Sequence, residues 1–263
     1  MSVIRKRNII IVALIAAVMF LIAYKVDRSY HIDDNVDIVS IEEGWTLEAG
    51  GFFYENLYYE NISRYIKKTD SITLSFVMPE TGIYMPAMAF RTNHEVVTVS
   101  ANGEVIYKWG NGYYDANDFL PNMYHTINLC DVHTGDTVEI SLVTDHGAAA
   151  VPDKVQVGNI NDLVAAFVSE RSGGMYCGLF MCVFAFFVIA LLPIMILFGE
   201  KDYFLLCCGI SALEIGAYIL SYSDVLLFFT SRPLVSGMIE YISLYSGCIV
   251  FNLIMNLVRG EDA

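Results

Sequence analysis

At 263 residues, with 56% of them apolar and a mean hydropathy of +0.51, the chain is too apolar for an ordinary soluble domain, so part of it belongs in lipid. Its formal charge is −14, and 22 of its 29 Asp and Glu residues lie between Val26 and Arg171, against 8 of its 15 Lys and Arg. That excess of negative charge excludes a nucleic-acid-binding face, because a phosphate backbone calls for the opposite sign.

The chain opens with a short basic tail, residues 1–7, ending in Arg5-Lys6-Arg7. An apolar block follows at 8–25, about 17 residues from Asn8 to Tyr24, which is near the lower limit for a ~30 Å hydrocarbon core. A cleaved signal peptide is the rival reading. The block is longer than a typical signal core, and its exit, Ile22-Ala23-Tyr24-Lys25, lacks a small-x-small site, which favours an uncleaved signal-anchor helix. The positive-inside rule then puts the loop from Val26 to Arg171 outside and both chain ends in the cytoplasm of a multi-pass protein.

Residues 26–158 read as an exported all-β sandwich. Ser71–Pro79, Tyr84–Arg91, Glu95–Ala101, Glu104–Trp109, Tyr124–Leu129 and Asp136–Asp145 are rich in β-branched and aromatic residues, and together they suggest about eight short antiparallel strands. Asn102-Gly103 between two such runs is a strong hairpin signal, since both residues accept the positive φ of a type I′ turn. The aromatic-rich stretch Gly51–Lys68 reads as a ligand rim, a dimer face or an amphipathic cover. Residues 159–173 change to a helical period and form a connector, with Asn161 or Asp162 as cap and Leu163, Val164, Phe167 and Val168 on one side.

Three apolar segments, 174–198, 203–222 and 234–257, are each long enough to span a bilayer, and 259–263 is a cytoplasmic end. Gly174 and Gly178, Ala212 and Gly216, and Ser243 and Gly247 repeat a small-xxx-small spacing suited to close helix packing. Glu214 and Glu240 fall inside predicted spans, where a carboxylate is costly and functionally suggestive, and a structural or switching polar contact is preferred over transport.

Five of the six cysteines lie in predicted spans, which leaves Cys130 alone outside. The sandwich must therefore be held by its core rather than by a disulfide. His94, His125, His133 and His146 have no i, i+4 partner, and no GxSxG turn occurs, so no metal, no cofactor and no catalytic activity is expected of this chain. Paired carboxylates for glycoside hydrolysis are a spatial property that the sequence leaves open. Binding is better supported: Tyr107, Trp109, Tyr113 and Tyr114 follow the hairpin, Arg91, Asn93 and His94 precede it, and Asn122 and His125 are candidates to join them. Flat aromatic faces beside planar hydrogen-bonding groups suit a sugar-like ligand. By alternation Tyr107 and Trp109 share one strand face, which suits core packing equally well.

The order of a sandwich containing Ala89–Gly110 (AFRTNHEVVTVSANGEVIYKWG), the connector Val155–Val164 (VQVGNINDLV) and then membrane helices resembles the bacterial seven-transmembrane receptors with diverse intracellular signalling modules, including relatives with diguanylate cyclase or histidine kinase outputs. The resemblance implies a jelly-roll, galactose-binding-like module that senses a carbohydrate-like small molecule, and a seven-helix core of which three helices are present here. The expectation is thus the sensory and membrane portion of a receptor in the bacterial plasma membrane, working as a homodimer. The alternative is an accessory or transport-associated membrane protein whose sandwich binds a partner.

Overall fold

The structure is a computed structural model that describes residues 37–66, 69–116, 118–144, 149–198, 203–228 and 232–259. The predicted signal-anchor at 8–25 lies outside these residues. Among the described residues the chain divides into two units, one ending at Phe167 and the other beginning at Val168.

The first unit contains two antiparallel sheets. One joins β1 (Ile38–Ser40), β10 (Gln156–Gly158), β5 (Ala87–Thr92) and β8 (Met123–Asn128) in that order. The other joins β3 (Phe52–Leu57), β2 (Trp45–Ala49), β4 (Ser71–Val77), β9 (Thr137–Val143), β6 (Val96–Ala101) and β7 (Glu104–Trp109). Alternation sets the core. Ile72, Leu74 and Phe76 of β4 pair in register with Leu142, Ile140 and Val138 of β9, and all six are buried. They meet Met88, Phe90 and Ile127 from the opposite sheet, with Trp45 and Leu47 fully enclosed between. Among the described residues all six cysteines are free thiols, so this packing is not reinforced by a disulfide there.

The Asn102-Gly103 turn joins β6 to β7 with φ of 49° and 83°. Asn102 also stitches the hairpin to its neighbour: its Nδ2 donates to Asp136 Oδ1 at 2.8 Å, and its Oδ1 accepts from the Thr137 N–H at 3.0 Å. Four strands escape the sequence pattern. β1 and β10 are only three residues long, and Gly51–Lys68 contains β3 and a 3₁₀ turn, Tyr59–Arg64, with β2 folding back onto β3 through Gly50 and Gly51. β5 starts at Ala87 rather than Tyr84, because Met85 has φ 55° and Pro86 has no N–H to give a ladder.

A five-residue helix, α1 (Asn111–Asp115), follows β7. The long helix α2 (Ile160–Leu197) runs through the boundary expected at 173/174. Its cap is Asn159 rather than Asn161 or Asp162: Asn159 Oδ1 accepts the Asn161 N–H at 3.0 Å. The first two turns of α2 cover the outer face of the four-stranded sheet, where Leu163 packs on Ala87 and Ala89, and the Phe167 ring lies 3.9 Å from that of Tyr124.

In the second unit the remainder of α2 is followed by α3 (Tyr203–Tyr222), a 3₁₀ turn at Val225–Phe228 and α4 (Pro233–Arg259). All three α-helices are long and apolar enough to cross a membrane. Phe186, Leu197, Phe198, Ile242 and Phe251 are among many large apolar side chains left on their outer surfaces, the expected finish for a lipid-facing bundle. Small residues bring α2 and α3 together. A Cβ on Gly216 would lie 2.8 Å from the Gly178 carbonyl oxygen and 2.9 Å from the Cys182 nitrogen, and one on Gly178 would lie 3.1 Å from the Gly216 carbonyl oxygen. The two glycines are thus reciprocal contact points of a close backbone approach. At one end of the seam Arg171 Nη1 pairs with the buried Asp224 Oδ2 at 3.7 Å.

Two substitutions test these devices. Asn102→Ala removes both side-chain bonds and puts a less tolerant residue at positive φ, so it is expected to lower unfolding stability by about 1–3 kcal/mol. An unchanged denaturant midpoint would contradict the stitching role. Gly216→Val must force α2 and α3 apart and increase protease susceptibility of the helices, whereas Gly173→Ala, whose added Cβ meets nothing within 4 Å, leaves it unchanged.

Candidate functional site

The candidate ligand residues do not converge on one surface. His125 is fully buried, with its ring boxed by Phe90, Tyr107 and Trp109 at centroid distances of 5.1, 5.7 and 5.2 Å. Its Nε2 lies 2.8 Å from Thr92 Oγ1 and its Nδ1 3.1 Å from the Tyr107 hydroxyl, so both ring nitrogens are engaged by the protein. Burial pushes its pKa down to about 3, and the ring is neutral at physiological pH. Tyr107 and Trp109 pack against the core from β7, and Tyr113 of α1 sits 6.2 Å from Trp109. This group closes the sandwich where β7 and β8 face each other from opposite sheets.

Arg91 is on the other face of the four-stranded sheet. Strand alternation pairs Phe90 with His125 and Arg91 with Tyr124, and Arg91 Nη1 reaches Asp153 Oδ2 at 3.7 Å. His94 turns its Nδ1 to the Leu120 carbonyl oxygen and its ring toward Phe119. Asn93 and Tyr114 are exposed, and the Oδ1 of Asn122 is buried without a hydrogen-bond partner among the described residues.

A concave site lies elsewhere on the sandwich. A cleft of 460 Å³ is lined by Ser40, Ile41 and Glu42 after β1, by Tyr58, Tyr59 and Glu60 at the 3₁₀ turn, and by Lys154 and Val155. Its volume is within the range of small-molecule sites. One wall is a strap, residues 149–155, that leads directly into β10. Tyr59 fixes this strap: its hydroxyl is 2.7 Å from the Pro152 carbonyl oxygen and 2.9 Å from that of Asp153, and its ring rests 5.2 Å from Trp45. Burial, and then the negative charges of Asp153 and Glu95, hold the Tyr59 phenol well above its ordinary pKa, so it stays protonated. The Ile41 N–H donates to the Val155 carbonyl at 3.1 Å, and the Asp153 N–H to that of Arg91 at 3.0 Å. Tyr58 stands 57% exposed at the mouth. Carboxylates, an ammonium and aromatic faces thus converge on one hollow. Tyr58, Tyr59 and Glu60 belong to the aromatic stretch noted in the sequence, but Ser40, Glu42 and Lys154 come from segments with no local signal.

In the helical unit Glu214 Oε2 is buried without a hydrogen-bond partner among the described residues, and a Cβ on Gly247 of α4 would lie 3.8 Å from it. Glu240 is half-buried on α4, the helix that also buries Ser236 and Ser243. Among the described residues no cluster of three His, Cys, Asp or Glu side chains is arranged to hold a metal ion.

No protein-family model matches the chain, and no curated protein matches it. Among solved structures it is similar to an FMN-binding beta-glucuronidase from Facaelibacterium prausnitzii L2-6, at 13% identity and a TM-score of 0.32 over 47% of this chain and 23% of that one. A beta-glucuronidase from an uncultured Clostridium sp. matches at 8% identity and a TM-score of 0.30 over 49% and 30%, and the GH31 alpha-xylosidase of Xanthomonas citri at 8% and 0.23 over 50% and 20%. The matched region is less than a third of each of those enzymes. By its fold the chain is a two-sheet antiparallel sandwich joined to helices able to span a membrane.

The buried His125 makes the sandwich sensitive to acid. Its folded pKa lies below the ordinary value of 6.5, so its contribution to stability is complete above pH 6.5 and is lost as pH falls toward 3. His125→Phe is expected to flatten the acid limb of a stability-against-pH curve over that window. An acid limb as steep as that of the wild type would show that the proton is taken up elsewhere.

Proposed function

We propose that this chain is the sensory and membrane portion of a bacterial signal-transduction receptor, with the sandwich outside the plasma membrane binding a small, carbohydrate-like molecule. The observation that carries the reading is the cleft between the 3₁₀ turn and the strap, in which Tyr58 and Tyr59 offer ring faces beside Glu42, Glu60 and Lys154. The strap supplies Lys154 and Val155 to the cleft and continues as β10, which is separated from α2 by Asn159 alone. A ligand that binds one position of the strap more tightly than another shifts the population of those positions, which is the requirement for a signal. The resemblance of the sandwich, connector and helix order to the seven-transmembrane receptor family supports the same reading. Binding without turnover is proposed.

The test is calorimetric titration of the full chain in detergent with a panel of neutral and charged mono- and disaccharides. For a sugar that binds, Tyr58→Ala and Lys154→Ala are expected to weaken affinity about tenfold or more, a loss of ~1.4 kcal/mol, whereas Trp109→Ala stays close to wild type. The reverse pattern would move the site to the aromatic group beside His125. Absence of binding across the panel would overturn the carbohydrate class, and turnover of a bound sugar would overturn the non-catalytic reading.

A further inference from the structure

We propose that Glu95 is a proton-controlled latch on the strap 149–155, holding the wall of the cleft in place while its carboxyl is protonated and releasing it when the proton leaves. The proposal concerns regulation of the cleft described above. It rests on the ligand-site reading only for its consequence for binding, not for the movement itself.

Glu95 stands at the entrance to β6 and is 1% exposed. One carboxyl oxygen, Oε1, accepts the N–H of Ala150 at 2.6 Å, and this bond fastens the start of the strap. The other, Oε2, is buried and has no hydrogen-bond partner among the described residues. An enclosed carboxylate with a single bond to a neutral amide is an expensive arrangement, because its lost hydration is only partly replaced. A neutral carboxyl in the same place keeps the bond to Ala150 at a much smaller desolvation cost. Burial accordingly pushes the Glu95 pKa up to about 7, with the Ala150 N–H acting in the opposite direction.

The ionisable groups on the elements packed around it are Tyr59 on the 3₁₀ turn, Asp153 and Lys154 on the strap, Arg91 on β5 and His94 beside it in the chain. Tyr59 feels the negative charge of both Asp153 and Glu95, and its hydroxyl is spent on the strap carbonyls. Arg91 reaches toward Asp153, and His94 turns to Leu120. Asp145 and His146, which precede the strap in the chain, lie outside the described residues. When Glu95 ionises, the way to rehydrate the charge is to break the Ala150 bond and admit water beneath the strap. Its other fastenings include the Thr69 carbonyl to Ala149, the Arg91 carbonyl to Asp153, the Ile41 N–H to the Val155 carbonyl, the Arg91 guanidinium to the Asp153 carboxylate and the two carbonyl bonds of Tyr59.

The closed state raises the carboxyl pKa from an ordinary 4.5 to about 7, so the closed strap is fully favoured below pH 4.5 and loses stability as pH rises through 7, above which the loss is complete. Each unit of pH inside that window costs up to about tenfold in the closing equilibrium.

The experiment is hydrogen exchange by mass spectrometry on the ligand-free full chain in detergent between pH 5 and pH 8, with rates corrected for intrinsic amide chemistry. Wild-type protection of peptides covering 149–155 is expected to fall at least about tenfold over that range, while β9 remains level. In Glu95→Gln, which keeps an acceptor for Ala150 and carries no charge, protection should be high and level throughout. Tyr59→Phe should lower protection at every pH and keep the wild-type slope. A level wild-type profile would overturn the proposal even if the glutamine variant did not fold. An equal fall in Glu95→Gln would likewise overturn it by assigning the proton to another group. Because no ligand is present, failure here is distinct from failure of the cleft to bind sugar.

Discussion

The Tyr59 hydroxyl, bonded to two successive carbonyl oxygens of the strap, is the contact on which the candidate site depends. It joins three parts of the sandwich that are distant in sequence. The 3₁₀ turn supplies the phenol, Trp45 in the core supports its ring, and Pro152 and Asp153 receive the bond. Trp45 is itself fixed, since its indole N–H donates to the Ile41 carbonyl at 2.9 Å, and Ile41 is one of the cleft residues. A single aromatic pair therefore aligns both walls of the cleft with the inter-sheet core. The core needs no covalent help, because the inward-facing residues of both sheets meet around Trp45, Phe90 and Leu142 and are almost completely withdrawn from water.

Around that core, two buried ionisable groups are treated in opposite ways. His125 has each ring nitrogen within hydrogen-bond distance of a hydroxyl and is stable as a neutral ring. Glu95 has one oxygen bonded and the other without a partner among the described residues. The first arrangement closes the sandwich and rigidifies it. The second is a weak point, and it lies at the strap rather than in the centre of the sheets. Buried polar groups that are fully satisfied specify structure, and partly satisfied ones are where a structure gives way.

Strong local patterns were legible in the sequence. Asn102-Gly103 made its turn because two adjacent residues tolerate positive φ, and Thr137–Val143 made a strand because its apolar side chains alternate. Three apolar helices were visible from hydropathy alone, and the glycine spacing of Gly178 and Gly216 marked a real seam. β1 and β10 were not legible, since three residues carry no period and the strands are defined by long-range pairing, Ile38 with Gly158 and Gly158 in turn with Ala87 of β5. The candidate site suffered for the same reason. Trp109, Tyr107 and His125 looked like a ligand face because they are aromatic and close in the chain, yet strand alternation turns them inward. The cleft draws on Ser40, Glu42, Tyr59 and Lys154, which no local motif connects.

The proposed receptor role requires the sandwich to face the outside of the cell while the apolar helices lie in the membrane. Cys130 is the one cysteine outside the predicted spans, and it is exposed. Labelling intact cells with a membrane-impermeant maleimide measures its location directly, with Cys130→Ser as the control for thiols in the helices. The account predicts labelling of the wild-type chain before lysis and its loss in the serine variant. Labelling that appears only after lysis would place the sandwich inside the cell and contradict the account of an exported sensor.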